Sequence, residues 1–161
     1  MLEPSELAEA FARNVGVIQA QTEGLSHADS LLQLPFRGNC LNWVLGHLLD
    51  NRDDVLKALG AQRIMNDNSA ALYRRGSAPI ASSTTELLLL QDLLEQLVQS
   101  QERLSGALGR TTEADMTREI VRNGNTTTLG KLVFFLYFHE TYHVGQTELL
   151  RQLAGKNDQV I

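Results

Sequence analysis

Two histidines four residues apart carry the most chemistry in this chain. His139 and His143 lie in the stretch Thr127–Leu153, TTLGKLVFFLYFHETYHVGQTELLRQL. On a helix that spacing puts both imidazoles on one face, near enough to share an ion. They stand where the pattern otherwise asks for leucine. Leu129, Leu136, His143 and Leu150 recur every seven residues, and Leu132, His139, Gln146 and Leu153 form the neighbouring seam. An imidazole on an inward face needs a partner for each nitrogen. A metal ion is one answer and a hydrogen-bond network is the other.

A metal site needs at least one more protein ligand, and the other histidines are His27 and His47. His47 is the better candidate, because it lies in a helical stretch beside an apolar stripe, four residues after Trp43. His27 lies in a connection, where it is a fourth ligand, a supporting residue outside the ligand set, or simply exposed. Three neutral imidazoles leave an ion its full charge and leave positions open to water or substrate, as catalytic sites require. Zinc and nickel suit imidazole, as does iron. Water on such an ion is deprotonated near neutral pH and becomes a nucleophile.

His139-Glu140-Thr141-Tyr142-His143 also matches the HExxH pattern of zinc peptidases, with Glu140 as general base. Against proteolysis, the chain offers little sheet to grip an extended substrate. The acid that follows, Glu148, is on the same helix. Glu140 would instead orient an imidazole or pair across the fold. Gln146 is placed to hydrogen-bond a histidine, and Gly145 to let a ligand or another helix approach.

The elements that must position these groups read as helices. The first runs from Pro4 through Leu7, Phe11, Val15 and Ile18 to a stop at Gly24. The second spans about Gly38 to Leu59, with Gly60 as its stop. From Ala61 to Ser83 the pattern is lost, leaving a connection long enough to cover a pocket or reach a partner subunit. Tyr73, Arg74 and Arg75 are its most interesting residues. Tyr73 either anchors the segment or, like Tyr142, donates a proton. The arginines either face solvent or hold a substrate carboxylate in bidentate fashion. Thr84 or Thr85 caps a third helix that extends to Leu108. A polar connection follows, with Glu119–Arg122 extended and Asn123-Gly124-Asn125 as a turn. Thr126 or Thr127 then caps the fourth helix. Long helical patterns, weak strand signals and no repeats predict an all-α chain, one four-helix-bundle domain over 1–161. The long connection between helices two and three permits an up-down-down-up order without forcing it.

Composition narrows the partners. A chain of 161 residues with 43% hydrophobic content folds around one ordinary core. The net charge of -5 gives no footprint for nucleic-acid phosphates or an anionic membrane. The single cysteine, Cys40, excludes an internal disulfide and fits a reducing, cytoplasmic setting. The N-terminus lacks the basic-then-apolar pattern of a secretory signal. The run Leu129–Phe138 is too short to span a bilayer.

Two motifs carry a resemblance: Asn42-Trp43-Val44-Leu45-Gly46-His47-Leu48-Leu49, and Phe138-His139-Glu140-Thr141-Tyr142-His143-Val144-Gly145-Gln146. Together with the helix order and the long central connection, they resemble the DinB-like family of metal-binding four-helix bundles. The resemblance implies an up-down-down-up bundle and one divalent ion, usually zinc or nickel, on His47, His139 and His143. It also implies a homodimer through helices two and three. Some members are transferases or isomerases acting with low-molecular-weight thiols, and others are described as metal-dependent hydrolases. The expectation is therefore a small-molecule hydrolase or thiol transferase, with a non-enzymatic metal-binding or interaction bundle as the alternative.

Overall fold

The computed structural model describes residues 3–122 and 124–160. Long helices α1 (Pro4–Thr22), α3 (Leu41–Ala58), α5 (Leu90–Leu108) and α7 (Leu129–Leu153) form the core of a bundle. Short helices α2 (His27–Ser30), α4 (Asp67–Tyr73) and α6 (Glu113–Met116) lie in the connections. The hairpin of β1 (Glu119–Arg122) and β2 (Asn125–Thr128) precedes α7. Both α1 and α3 pack against α5 and α7, which places α1 and α3 on one diagonal.

Residue pairs advance together along α1 and α7, where Phe11 meets Tyr137, Asn14 meets Glu140 and Gln21 meets Arg151. They also advance together along α3 and α5: Asn42 reaches Leu88, just ahead of α5, and Arg52 reaches Ser100. Between α1 and α5 they run in opposite senses, with Gln101 on Ala8 and, just past the end of α1, Leu90 on His27 of α2.

The apolar positions seen in the sequence become two buried clusters. Ile18, Leu45, Leu48, Leu93, Leu97 and Val144 belong to one, and Phe11, Val55, Leu56, Leu104, Leu132 and Leu136 to the other. Charge and polarity interrupt the stripes at matching depths. Asn14 falls between Phe11 and Ile18, Arg52 between Leu49 and Val55, Ser100 between Leu97 and Leu104, and Glu140 between Leu136 and Val144. These residues meet in a buried polar layer. Arg52 donates to both carboxylate oxygens of Glu140 (Nε to Oε2 2.7 Å, Nη2 to Oε1 2.8 Å). It also donates to Ser100, Gln101 and the Phe11 carbonyl, while Asn14 donates to Glu140 Oε1 at 3.1 Å. All four long helices contribute, so the pair is fully hydrogen-bonded, as buried ions must be.

Several boundaries differ from the expectation. The connection read as structureless contains α4, where Asn66 caps the helix by accepting from the Ser69 amide. Its Tyr73 is fully buried. The third long helix starts at Leu90, not Thr84 or Thr85. Glu86 has φ +60°, which ends any earlier helix, and Thr84 instead accepts from the Ala81 amide. Leu88 lies ahead of the helix, its carbonyl taken by Asn42 and its amide by the Tyr73 hydroxyl. Thr126 and Thr127 lie in β2, and Thr128 caps α7 by accepting from Lys131 N. Of the expected turn, Gly124 has φ +78° and Asn125 opens β2, while Asn123 lies outside the described residues.

Candidate metal centre

His47 on α3 and His139 and His143 on α7 converge, with one nitrogen from each lying within 4.8 Å of the others. Rotation along α7 explains the division of labour there. Glu140 points into the core, while His139, one residue away and turned by about 100°, points into the groove beside α3. His47 and His139 approach most closely, Nε2 to Nε2, at 3.1 Å. Two nitrogens on a tetrahedral zinc stand roughly 3.3 Å apart at the usual Zn–N lengths. That pair is close to this spacing, and with the third nitrogen within 4.8 Å the set could hold such an ion.

The nitrogens facing away from this point are held. His47 Nδ1 lies 2.8 Å from the Tyr73 carbonyl, which can accept but not donate. The proton therefore sits on Nδ1 and the Nε2 lone pair faces the cluster. His143 Nδ1 is 2.8 Å from Gln146 Oε1, which assigns its tautomer in the same way. Such hydrogen bonds orient metal-binding imidazoles and raise their basicity. Trp43 stacks on His47 at 4.6 Å between ring centres, and its indole N–H donates to Ser77 Oγ. The Asn51 amide donates to the His47 carbonyl at 2.7 Å and stands 3.1 Å from His47 Nε2.

Electrostatics keep all of these imidazoles neutral. Burial pushes His47 down to about 4, with the His143 and His139 rings adding to the effect and the Tyr73 carbonyl opposing it. Burial lowers His139 as well, followed by His143 and the positive Arg122 and Arg75. His143 is lowered by burial against the opposing bond from Gln146. Near pH 7 no proton competes with a cation for these lone pairs.

The other residues singled out in the sequence are spread more widely. Glu140 is 1% exposed and has both oxygens engaged by Arg52, so the expected general base is tied into the core. The Tyr73 hydroxyl is buried between Asn42 and the Leu88 amide. Its ring lies flush on Gly46, where a Cβ would overlap it. Tyr73 thus serves the cluster through its carbonyl. Tyr142 is exposed and sets its ring edge-on to His143 at 5.3 Å. Arg74 is near Asp50 and Asp67, whereas Arg75 is exposed with its charge felt at His139. His27 lies apart, accepting from the first amide of α5 at 3.2 Å. Gln146 is at the cluster.

Sequence reasoning missed Arg52, Asn14 and Asn51. Asn51 had a visible signal, because it follows His47 by one helical turn. Arg52 offered a charge between apolar stripe positions.

Among curated proteins, none matches this chain. Among solved structures, a conserved protein from Enterococcus faecalis is similar in fold, with a TM-score of 0.73 at 15% identity, over 97% of this chain and 100% of that one. The family model described as the DinB superfamily matches residues 10–147, a span that includes His47, His139 and His143. With that match over most of its length and the helical bundle beneath it, the chain belongs to the DinB superfamily.

Proposed function

We propose that this protein holds one divalent ion, zinc or nickel, on His47, His139 and His143, and acts there on a small molecule by hydrolysis or thiol-dependent transfer. The observation that carries this reading is the convergence of three neutral imidazoles, two with Nδ1 fixed by a neighbouring acceptor. A bound ion would supply a Lewis acid with open positions, able to polarise a carbonyl or to lower the pKa of water or a low-molecular-weight thiol. Within this reading Arg75, rather than the partly engaged Arg74, attracts a substrate carboxylate, and exposed Tyr142 is the proton donor. The paired directions of α1 with α7 and of α3 with α5 support the up-down-down-up order. Cytoplasmic placement rests on the single buried Cys40. No helix among the described residues is long and apolar enough to cross a membrane.

One observation favours a non-enzymatic metal-binding bundle instead. The carboxylate nearest in sequence to the imidazoles, Glu140, has both oxygens occupied by Arg52. The deciding experiment is titration of metal-free protein with zinc and nickel, followed by ester, amide and thiol-transfer substrates with and without chelator. Wild type takes up one equivalent and His143→Ala takes up none. Absence of stoichiometric uptake by wild type would overturn the site. Uptake without any chelator-sensitive turnover would favour the second reading.

A further inference from the structure

The hairpin of β1 and β2 supplies no imidazole, yet it closes a groove against α3 and α7. The groove encloses about 480 Å³, within the range of small-molecule sites. Its walls include Asp54 of α3 and Leu132 of α7. Asp54 follows His47 by seven residues, and Leu132 precedes His139 by seven. Two helical turns keep each pair on one face, about 10 Å apart. The groove therefore continues the cleft that holds the imidazoles. Phe135 stacks on His139 part of the way along and is 53% exposed. Val121, in the groove wall, is 74% exposed.

The charge at this far end opposes that of the chain. Lys57, Arg118 and Arg122 line it with one carboxylate, Asp54, although the net charge is -5. Arg122 Nη2 donates to Asp54 Oδ2 at 2.7 Å. Arg118 donates to a neutral acceptor, the Ala58 carbonyl, at 3.2 Å, and Lys57 is exposed. Positive potential is left over for an anion. Behind burial and His143, the Arg122 charge also lowers the pKa of His139, which ties this end to the cluster.

We propose that the groove seats the carboxylate end of an extended small molecule with an apolar middle, whose other end reaches the metal centre. The span matches about three residues of extended chain. Phe135, Leu132 and Val121 give the middle its apolar surface. The planar forks of Arg118 and Arg122 suit a carboxylate. Asp54 opposes the double charge of a phosphate monoester more than the single charge of a carboxylate. Arg75 attracts the anion towards the cluster, and this end of the groove seats it. The reach to an ion rests on the metal reading, whereas the seat does not.

The seat is tested by titrating octanoate into metal-free protein, followed by NMR. Amide shifts centre on residues 120–122. Arg122→Ala weakens binding about tenfold, the worth of one charge-assisted hydrogen bond. Asp54→Asn removes the internal competitor and tightens binding about threefold. Shifts elsewhere, indifference to Arg122→Ala, weaker binding by Asp54→Asn, or octyl phosphate binding more tightly than octanoate would overturn the seat. The reach is tested in zinc-loaded protein, with uptake measured separately. There 8-mercaptooctanoate, its thiolate on the ion, binds about tenfold more tightly than 8-mercapto-1-octanol, and Arg122→Ala abolishes the preference. The short 3-mercaptopropionate is indifferent to Arg122→Ala. Equal affinities of the two long thiols would overturn the reach. Absence of zinc uptake would remove the metal reading and the reach with it, while the octanoate titration still decides the seat.

Discussion

The polar layer at Arg52 and Glu140 and the imidazole cluster at His47, His139 and His143 are built on the same two helices, with Glu140 and His139 adjacent in the chain. Their chemistry is opposite. In the layer, the Glu140 carboxylate and the Arg52 guanidinium are each met by several partners, and the ions are 0–1% exposed. In the cluster, hydrogen bonds fix the far nitrogens of His47 and His143, and the near nitrogens face one another with the Asn51 amide 3.1 Å from His47 Nε2. A saturated network specifies how helices pack. A set of lone pairs turned inward on one point is ready for a cation. Buried polarity thus has two uses here: opposite charges that saturate one another across the helices, and neutral nitrogens that converge on one point.

That contrast can be broken from either side. The largest effect is expected at the layer. Glu140→Ala leaves the Arg52 charge buried and unpaired, which costs roughly 3–5 kcal/mol, read as a lower midpoint in urea denaturation. Protein that remains folded still takes up metal, which a general base lost from the centre would not alter. At the cluster, Gln146→Ala frees His143 Nδ1, and loss of such a supporting bond weakens metal binding about 10–100-fold. Calorimetric titration measures this, and metal-free stability changes little.

The smallest effect is in pH. The folded pKa of His47 is depressed to about 4 from an ordinary value near 6.5. The unfolded chain therefore binds this proton first as pH falls. The contribution of neutral His47 is complete above about 6.5 and is lost as pH falls to about 4. Metal-free wild type should lose stability through that window more steeply than His47→Gln. Equal slopes would show that His47 is not kept neutral by folding.

The parts of this arrangement legible in the sequence are those encoded by spacing. The register of α7 follows from leucines and histidines recurring every seven residues, so His139 and His143 are seen to share a face without coordinates. His47 was singled out by its place beside an apolar stripe, and the family resemblance added the ligand set. Spacing says nothing about which residue on one helix meets which on another, so the pairing of Arg52 with Glu140 was hidden. The start of α5 is not legible in the sequence, because Leu87 to Leu90 looks like helix core, yet Leu88 uses its backbone on Asn42 and Tyr73. The short α4 escaped because seven residues give too few turns for a period to show.

The hook made by Tyr73 links two things that seem separate. Its ring is seated on Gly46 of α3, while its carbonyl holds His47 from a position 26 residues further along the chain. Lifting the segment after α3 would release the imidazole to rotate, and clamping the imidazole with an ion would draw that segment down. By thermodynamic reciprocity the two events favour each other equally. If the centre holds the ion proposed for it, the order of this segment would report whether it is filled.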